Sequence, residues 1–403
     1  MWIMNLIHMR FCTKGEPETM MFFKEKNEPA ASLGFGMMRL PHRADGIIDQ
    51  EEVNRMVDFY MATPGEHHFD TAFMYDGGAS EAAFRMAVAD RYPRSSYTLT
   101  TKLVAWMVCE DEESAKAEFE TSLERTGAGY FDEYLMHAVR LDNYQKYEEY
   151  HLWDYAQNLK QEGKIRHYGM SFHAAPELLD ALLTQHPGMD TVQLQINYAD
   201  WDSVEVQARR NYETARKRGV SITAMSPARG GALVHPPKAI REVLDMGSVP
   251  EPYVKWALRF AASLKGVSRV LTGASSEAEL RENVMLMQDR TVLEEMDQTI
   301  VLRAIETLKR MEHIPCTMCH ACDASCPQKV AIPEIFSAMN EVLLFEARKS
   351  AQGLYGRVTD GKGKGKASLC IDCKRCEPMC PENIPITTWL QQAAQIFETD
   401  RAL

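Results

Sequence analysis

Short apolar runs of strand type alternate with longer stretches of helical period over residues 32–288. The runs Leu33–Leu40, His67–Ala72, Tyr97–Lys102, Glu133–His137, His167–Phe172, Thr191–Asn197, Val220–Met225 and Val267–Gly273 predict eight strands. Between them the spacing predicts helices over Ser80–Arg91, Glu112–Arg125, Tyr150–Glu162, Ala175–Gln185, Val204–Arg218, Tyr253–Ser263 and Glu277–Met287. Lys-Gln-Glu-Gly-Lys at 160–164 and Arg-Lys-Arg-Gly-Val at 216–220 read as helix ends, with cations in the last turn and glycine at the stop. Eight strand–helix units in succession predict an α/β fold, a (β/α)8 barrel. Two doubly wound domains are the rival, weakened because no G-x-G-x-x-G opens a helix.

Beyond the barrel pattern, residues 291–312 predict a connecting helix, with Val292, Met296, Ile300, Ala304 and Leu308 repeating every four residues. Residues 313–403 form a small C-terminal domain in which Ile335–Lys349 reads as a helix. Gly361-Lys-Gly-Lys-Gly-Lys366 fails the G-x-x-x-x-G-K-[ST] pattern and reads as a solvated loop. Residues 20–290 are then the barrel. Residues 1–19 read as a loose extension, with Met20 or Met21 as an alternative start.

Composition narrows the partners. With 45 Lys+Arg against 57 Asp+Glu, the net charge of −12 argues against nucleic acid and anionic membranes. No apolar run reaches a membrane span, and the first ten residues lack the basic start and cleavage site of a signal peptide. Cys12 and Cys109 stand alone and read as small hydrophobes.

The other eight cysteines fall into two copies of one run, Cys316-x2-Cys319-x2-Cys322-x3-Cys326-Pro327 and Cys370-x2-Cys373-x2-Cys376-x3-Cys380-Pro381. Zinc sites usually space their ligands two plus two across a long gap, and disulfides need an oxidising compartment. Four soft thiolates on a tight loop suit iron and sulfide, and this cysteine usage points to a reducing cytoplasm. The doubled run resembles that of two-cluster bacterial ferredoxins. The resemblance implies two [4Fe–4S] clusters whose fourth ligands are exchanged. One would be held by Cys316, Cys319, Cys322 and Cys380, the other by Cys370, Cys373, Cys376 and Cys326. His320, inside the first run, reads as a loop residue.

Polar residues of catalytic type stand at the predicted C-terminal strand ends, the edge where barrels build active sites. Asp70 lies in Phe-Asp-Thr-Ala-x-x-Tyr, with Tyr75 on the loop; Lys102 ends the third strand and His137 the fourth. In this order and context they resemble the Asp, Tyr, Lys, His tetrad of the aldo/keto reductase family. Leu-Gly-Phe-Gly-Met-Met-Arg-Leu-Pro at 33–41 is similar to the first strand of the bacterial members that carry a 4Fe–4S ferredoxin-type domain. The chemistry stands independently. A carbonyl accepting hydride needs a proton at oxygen. A tyrosine could supply it if a lysine cation lowered its pKa, an aspartate held the lysine and a histidine oriented the oxygen.

The resemblance further implies NAD(P)H as cofactor. It places Ser171 and Gln193 on the carboxamide, Met225 and Ser226 beside the nicotinamide, and Gly273, Ser275, Glu282 and Asn283 along the rest of the nucleotide. Phe172 stands where many relatives have asparagine. Glu279 stands where NADPH-preferring relatives often carry arginine. A carboxylate there would repel a 2′-phosphate and could accept from a ribose hydroxyl, so NAD(H) is an option beside NADP(H), which the resemblance puts first. Trp106, Met107, Tyr198 and Trp201 follow strand ends and are candidates for an apolar substrate mouth.

The expected function is an NAD(P)H-dependent oxidoreductase acting on an aldehyde, ketone or quinone carbonyl, with accessory clusters. The alternative is an electron-transfer or redox-sensing protein on an inactive barrel. Lys362, Lys364, Lys366, Lys374 and Arg375 gather near the second cysteine run. They predict a basic face for an acidic carrier such as a ferredoxin or flavodoxin.

Overall fold

The computed structural model describes residues 22–107, 109–249, 252–359 and 364–399. The 1–19 extension, Met20, Met21, Cys12 and Lys362 lie outside them. Eight parallel strands close into a barrel in sequence order: β1 (Ser32–Gly36), β2 (His68–Asp70), β3 (Thr98–Leu103), β4 (Phe131–Val139), β5 (Ile165–Phe172), β6 (Thr191–Gln195), β7 (Ser221–Met225) and β8 (Val267–Gly273). The helices in chain order begin with α1 (Gln50–Ala62), α2 (Ala79–Phe84), α3 (Glu112–Thr126), α4 (Tyr144–Glu149), α5 (Leu152–Gln161), α6 (Pro176–Gln185) and α7 (Ala208–Arg218). They continue with α8 (Lys238–Leu244), α9 (Val254–Ala262), α10 (Glu277–Met287), α11 (Glu295–Arg310), α12 (Ile332–Phe345), α13 (Arg348–Thr359) and α14 (Ile386–Phe397).

Each predicted strand is present, with several ends shifted: β2 stops at Asp70 and β6 at Gln195, each two residues short, β4 runs from Phe131 past His137 to Val139, β5 starts at Ile165, and β1 changes most. β1 stops at Gly36, not Leu40, because Met37–Arg39 winds into a 3-10 turn. That turn lets the Ser80 hydroxyl donate to the Met37 carbonyl at 2.9 Å. The helix predicted over Ile335–Lys349 starts earlier, at Ile332, with proline in its first turn. It stops at Glu346, whose φ is +53°, and α13 begins two residues on. The glycine-rich stretch is partly built in: Gly365 forms a bridge with Val330, and Lys364 pairs with Glu334.

One continuous apolar core fills the space between strands and helices. It reaches from Phe23 through Ile300, Val301, Ala304, Ile305 and Leu308 of α11 to Phe345 at the end of α12. A second, smaller core joins Ile314, Ile335, Phe336, Met339, Tyr355, Leu390 and Phe397 and contains Cys322 and Cys376. No described helix is long and apolar enough to cross a membrane.

Register turns this frame into a site. Asp70 faces Thr100, Lys102 faces Leu135, and Ser171 faces Gln193, all near the same rim. Tight approach between β5 and β6 depends on Gly169, where an added Cβ would lie 1.8 Å from the Thr191 carbonyl oxygen. Backbone cannot yield as a side-chain end does. Gly169→Ala should cost about 3 kcal/mol or more, read as a lower denaturant midpoint. Gly34→Ala, which meets only side-chain atoms at 2.9–3.1 Å, should cost clearly less.

Candidate active site

Lys102 is almost wholly enclosed at the end of β3, and its ammonium finds three oxygens. Nζ donates to Asp70 Oδ1 at 2.5 Å, to the Thr71 carbonyl at 2.7 Å and to Tyr75 Oη at 3.2 Å. Burial alone would lower the lysine pKa; Asp70 and Tyr75 outweigh it and hold the group above its ordinary value. The other Asp70 oxygen accepts from Gln193 Nε2 at 2.5 Å. A buried carboxylate is thus satisfied on both oxygens, and a buried ammonium on all three hydrogens.

Tyr75 stands at the edge of this pair on the turn after β2. Its ring lies 4.8 Å from the Lys102 ammonium and meets the His137 ring edge-on at 5.4 Å. Contrary to the expectation of a lowered pKa, burial raises the phenol above its usual value. Lys102 pulls it down, and Asp70 pushes it back up. Burial, and then the Lys102 charge, keeps His137 far below the ordinary histidine pKa, so its ring is neutral near pH 7. Its Nδ1 is buried without a protein partner. Asp70, Tyr75, Lys102 and His137 therefore meet in one place.

The residues tied to nucleotide spread along the same rim. Ser171 is buried and its hydroxyl accepts the Ala138 N–H at 2.7 Å. Gln193 Oε1 is buried without a partner, which fits an acceptor waiting for an amide N–H. Met225 is half-buried and Ser226 exposed, with φ +54°. Gly273 opens onto free space. Asn283 Nδ2 donates to Thr272 Oγ1 at 2.8 Å, and Glu282 points to solvent. Glu279 reaches back to cap its own loop, accepting from the Ser275 N–H at 2.8 Å and the Ser275 hydroxyl at 3.0 Å.

Two mouth candidates are corrected. Tyr198 and Trp201 are enclosed in the core; Trp201 packs edge-on against Phe22 and Phe260, and Tyr198 against Phe260. Trp106 remains half-buried at the rim, donating from Nε1 to the His137 carbonyl at 3.2 Å, and Met107 is exposed. Cys109 is half-buried and donates to Glu118 at 3.1 Å. Sequence reasoning missed Arg229, which the fold places between Asp200 and Glu341.

In the C-terminal domain the eight cysteines surround two cavities. One is lined by Cys316, Cys319, Cys322 and Cys380, the other by Cys326, Cys370, Cys373 and Cys376; Ile332 borders both. The loops repeat one backbone path. Met318 and His320 in the first, and Asp372 and Lys374 in the second, take φ between +52° and +58°. Alternating hands of this kind turn N–H groups inward, as anion and iron–sulfur sites require. The cysteines ring two cavities, and four soft thiolates at each suit iron and sulfide. Burial pushes the Cys322 thiol up to about 12 and the Cys376 thiol up to about 11.

Residues 32–302 match the aldo/keto reductase family. The chain belongs to the aldo/keto reductase family. Residues 315–385 of this aldo/keto reductase also match a 4Fe-4S dicluster domain. An L-galactose dehydrogenase of Arabidopsis thaliana is 25% identical over 300 residues, spanning 70% of this chain and 90% of its own. The holo form of an aldo-keto reductase from Bacillus halodurans shares the fold with a TM-score of 0.55 at 20% identity, over 70% of this chain and 95% of its own. An aldo-keto reductase from Klebsiella pneumoniae in complex with NADPH does so with a TM-score of 0.52 at 20% identity, over 68% and 90%.

Replacing Lys102 by methionine leaves the Asp70 carboxylate buried without its cation. The loss should be about 3–5 kcal/mol of stability, measured by denaturant unfolding of the iron-loaded protein. Tyr75→Phe keeps the ion pair and should stay within about 1 kcal/mol of the parent.

Proposed function

We propose that the protein reduces an aldehyde, ketone or quinone carbonyl with NAD(P)H, and that Tyr75 delivers the proton. When bound, the reduced nicotinamide supplies a hydride to the carbonyl carbon. Oxygen then gains negative charge and takes the Tyr75 proton. The Lys102 ammonium, 3.2 Å from that phenol oxygen, stabilises the phenolate left behind. Asp70 keeps the ammonium charged and in place. His137, neutral, offers an N–H to orient the oxygen without competing as a cation. The single observation that carries this reading is the contact of Lys102 with both Asp70 and Tyr75 inside the barrel mouth.

Ser171 and Gln193 are assigned to the carboxamide, Met225 and Ser226 to the nicotinamide face, and Gly273, Ser275, Glu279, Glu282 and Asn283 to the remainder of the nucleotide. Glu279 already occupies the Ser275 N–H and hydroxyl with a carboxylate. A 2′-phosphate would have to displace a like charge there. This supports NADH over NADPH.

The domain limits are taken as 20–290 for the barrel, 291–312 for the connection and 313–403 for the C-terminal part, with the connecting helix and Phe345 packed into the barrel's core. Each four-cysteine cavity is assigned one [4Fe–4S] cluster, with ligands exchanged between the runs. Such clusters move single electrons and belong in a reducing cytoplasm. Of the basic residues near the second run, Lys364, Lys366, Lys374 and Arg375 are exposed, Lys364 pairing with Glu334. They are assigned to a face for an acidic ferredoxin or flavodoxin.

Tyr75→Phe should lower kcat by about 10²–10⁴ against an anaerobic panel of aldehydes, ketones and quinones while NADH still binds; full activity contradicts the assignment. Glu279→Arg should move the kcat/KM preference from NADH toward NADPH, and an unmoved ratio removes that residue from cofactor choice. Cys326→Ser should perturb the same electron paramagnetic resonance signal as Cys373→Ser and spare the one that Cys319→Ser alters. The opposite grouping would mean each run binds its own cluster.

A further inference from the structure

The turn after β7 has an unusual backbone. Ser226 (φ +54°), Arg229 (+49°), Gly230 (+67°) and Gly231 (+100°) all lie in the left-handed region. Glycine enters it freely; serine and arginine are strained there. Such a turn needs support from outside itself.

The support runs through one side chain. Arg229 Nε donates to Asp200 Oδ1 at 2.9 Å, in the loop after β6. Its Nη1 lies 2.7 Å from Glu341 Oε1 on α12, and its guanidinium sits 4.1 Å from the Phe345 ring centre. Asp200 is itself fixed by Gln195 Nε2 at 2.7 Å and Asn197 Nδ2 at 2.8 Å. Asn197 Nδ2 also donates to the Ser226 carbonyl at 3.2 Å, closing the circuit back onto the turn. The Arg229 side chain is 19% exposed. Losing either carboxylate would leave a largely enclosed cation half-paired.

α12 connects this clamp to the cysteines. Ile332, at its start, borders both cysteine cavities, and Phe336 lines one of them. Glu341 and Phe345 follow on the same helix. The residues that close the cysteine cavities and those that hold Arg229 thus share one rigid rod.

We propose that Arg229 couples the docking of the dicluster domain to the nucleotide rim of the barrel. The order of the 226–231 turn, and with it dinucleotide affinity, depends on α12 being seated. The inference rests on the assignment of Met225 and Ser226 to nucleotide. Coupling of this kind is reciprocal, so a bound dinucleotide tightens the seat of the C-terminal domain. It gives the cluster-bearing domain influence over the reductase without any electron passing between them.

The test uses full-length, iron-loaded protein purified without oxygen. Glu341→Gln removes one charge from α12 and touches no residue assigned to nucleotide or carbonyl. Hydrogen exchange of the peptide covering 225–232 should quicken about tenfold, with exchange in β2–β4 unchanged. NADH affinity, read by fluorescence titration, should fall several-fold. Arg229→Lys, which keeps the charge and loses the fork, should fall between parent and Arg229→Gln. The double variant Arg229→Gln/Glu341→Gln should be no worse than Arg229→Gln alone. Unchanged exchange in Glu341→Gln overturns the proposal, as does unchanged NADH affinity in a protein that binds NADH. A parent protein that binds neither NADH nor NADPH sinks the nucleotide assignment instead, and the exchange result then decides the docking clamp by itself.

Discussion

An ammonium shut away from water has to be paid for by a carboxylate, and at the mouth of this barrel Lys102 is held by Asp70. The pair is poor value as a source of stability, since apolar side chains of similar size often serve a buried position as well or better. Its worth lies in what it imposes. Parallel closure sets β2 beside β3, with Asp70 opposite Thr100. Only the next inward-facing position of β3 can then bring a long side chain up to the carboxylate, and Lys102 fills it. The turn after β2 carries Tyr75 over the same ammonium. One electrostatic requirement therefore gathers residues from adjacent strands and leaves a phenol at the edge of the charge.

A different constraint rules the C-terminal part. Its apolar core is small and is interrupted by the two cysteine-lined cavities. Burial raises the pKa of the Cys322 and Cys376 thiols. Metal–thiolate bonds supply folding energy in such a domain. α12 reaches out of that core to the barrel, where Phe345 joins the larger core and Glu341 meets Arg229. Ser337 on the same helix donates to Glu205 at 3.0 Å. The two parts are thus joined by one helix face as well as by the chain.

Much of this was legible before any coordinates. β8 ends where the pattern placed it, and so does α10, whose Ser276 cap accepts the Glu279 N–H. Asp70 ends β2 as expected, while Lys102 stands one residue and His137 two residues before the ends of β3 and β4; their placement near one rim could be read because period and order are local properties. What could not be read depends on partners far along the chain. Tyr198 and Trp201 looked like rim aromatics until Phe22 and Phe260 enclosed them. Arg229 gave no signal because its carboxylates lie 29 and 112 residues away. The Tyr75 pKa was expected to fall with Lys102 beside it; the sequence shows the lysine but not the burial that outweighs it. The overlong reading of β1 has a local cause, since Met37 and Met38 continue the apolar run while the backbone has already turned to meet Ser80.

The most direct measurement follows the hydrogen itself. NADH carrying deuterium at one face of C4 is mixed with a carbonyl substrate under anaerobic single-turnover conditions, and the alcohol is analysed by mass spectrometry and NMR. Deuterium is expected on the carbinol carbon from one labelled face only, with a primary isotope effect on the transfer step and solvent hydrogen on oxygen. Reduced clusters with no label in any alcohol, across aldehydes, ketones and quinones alike, would contradict hydride transfer.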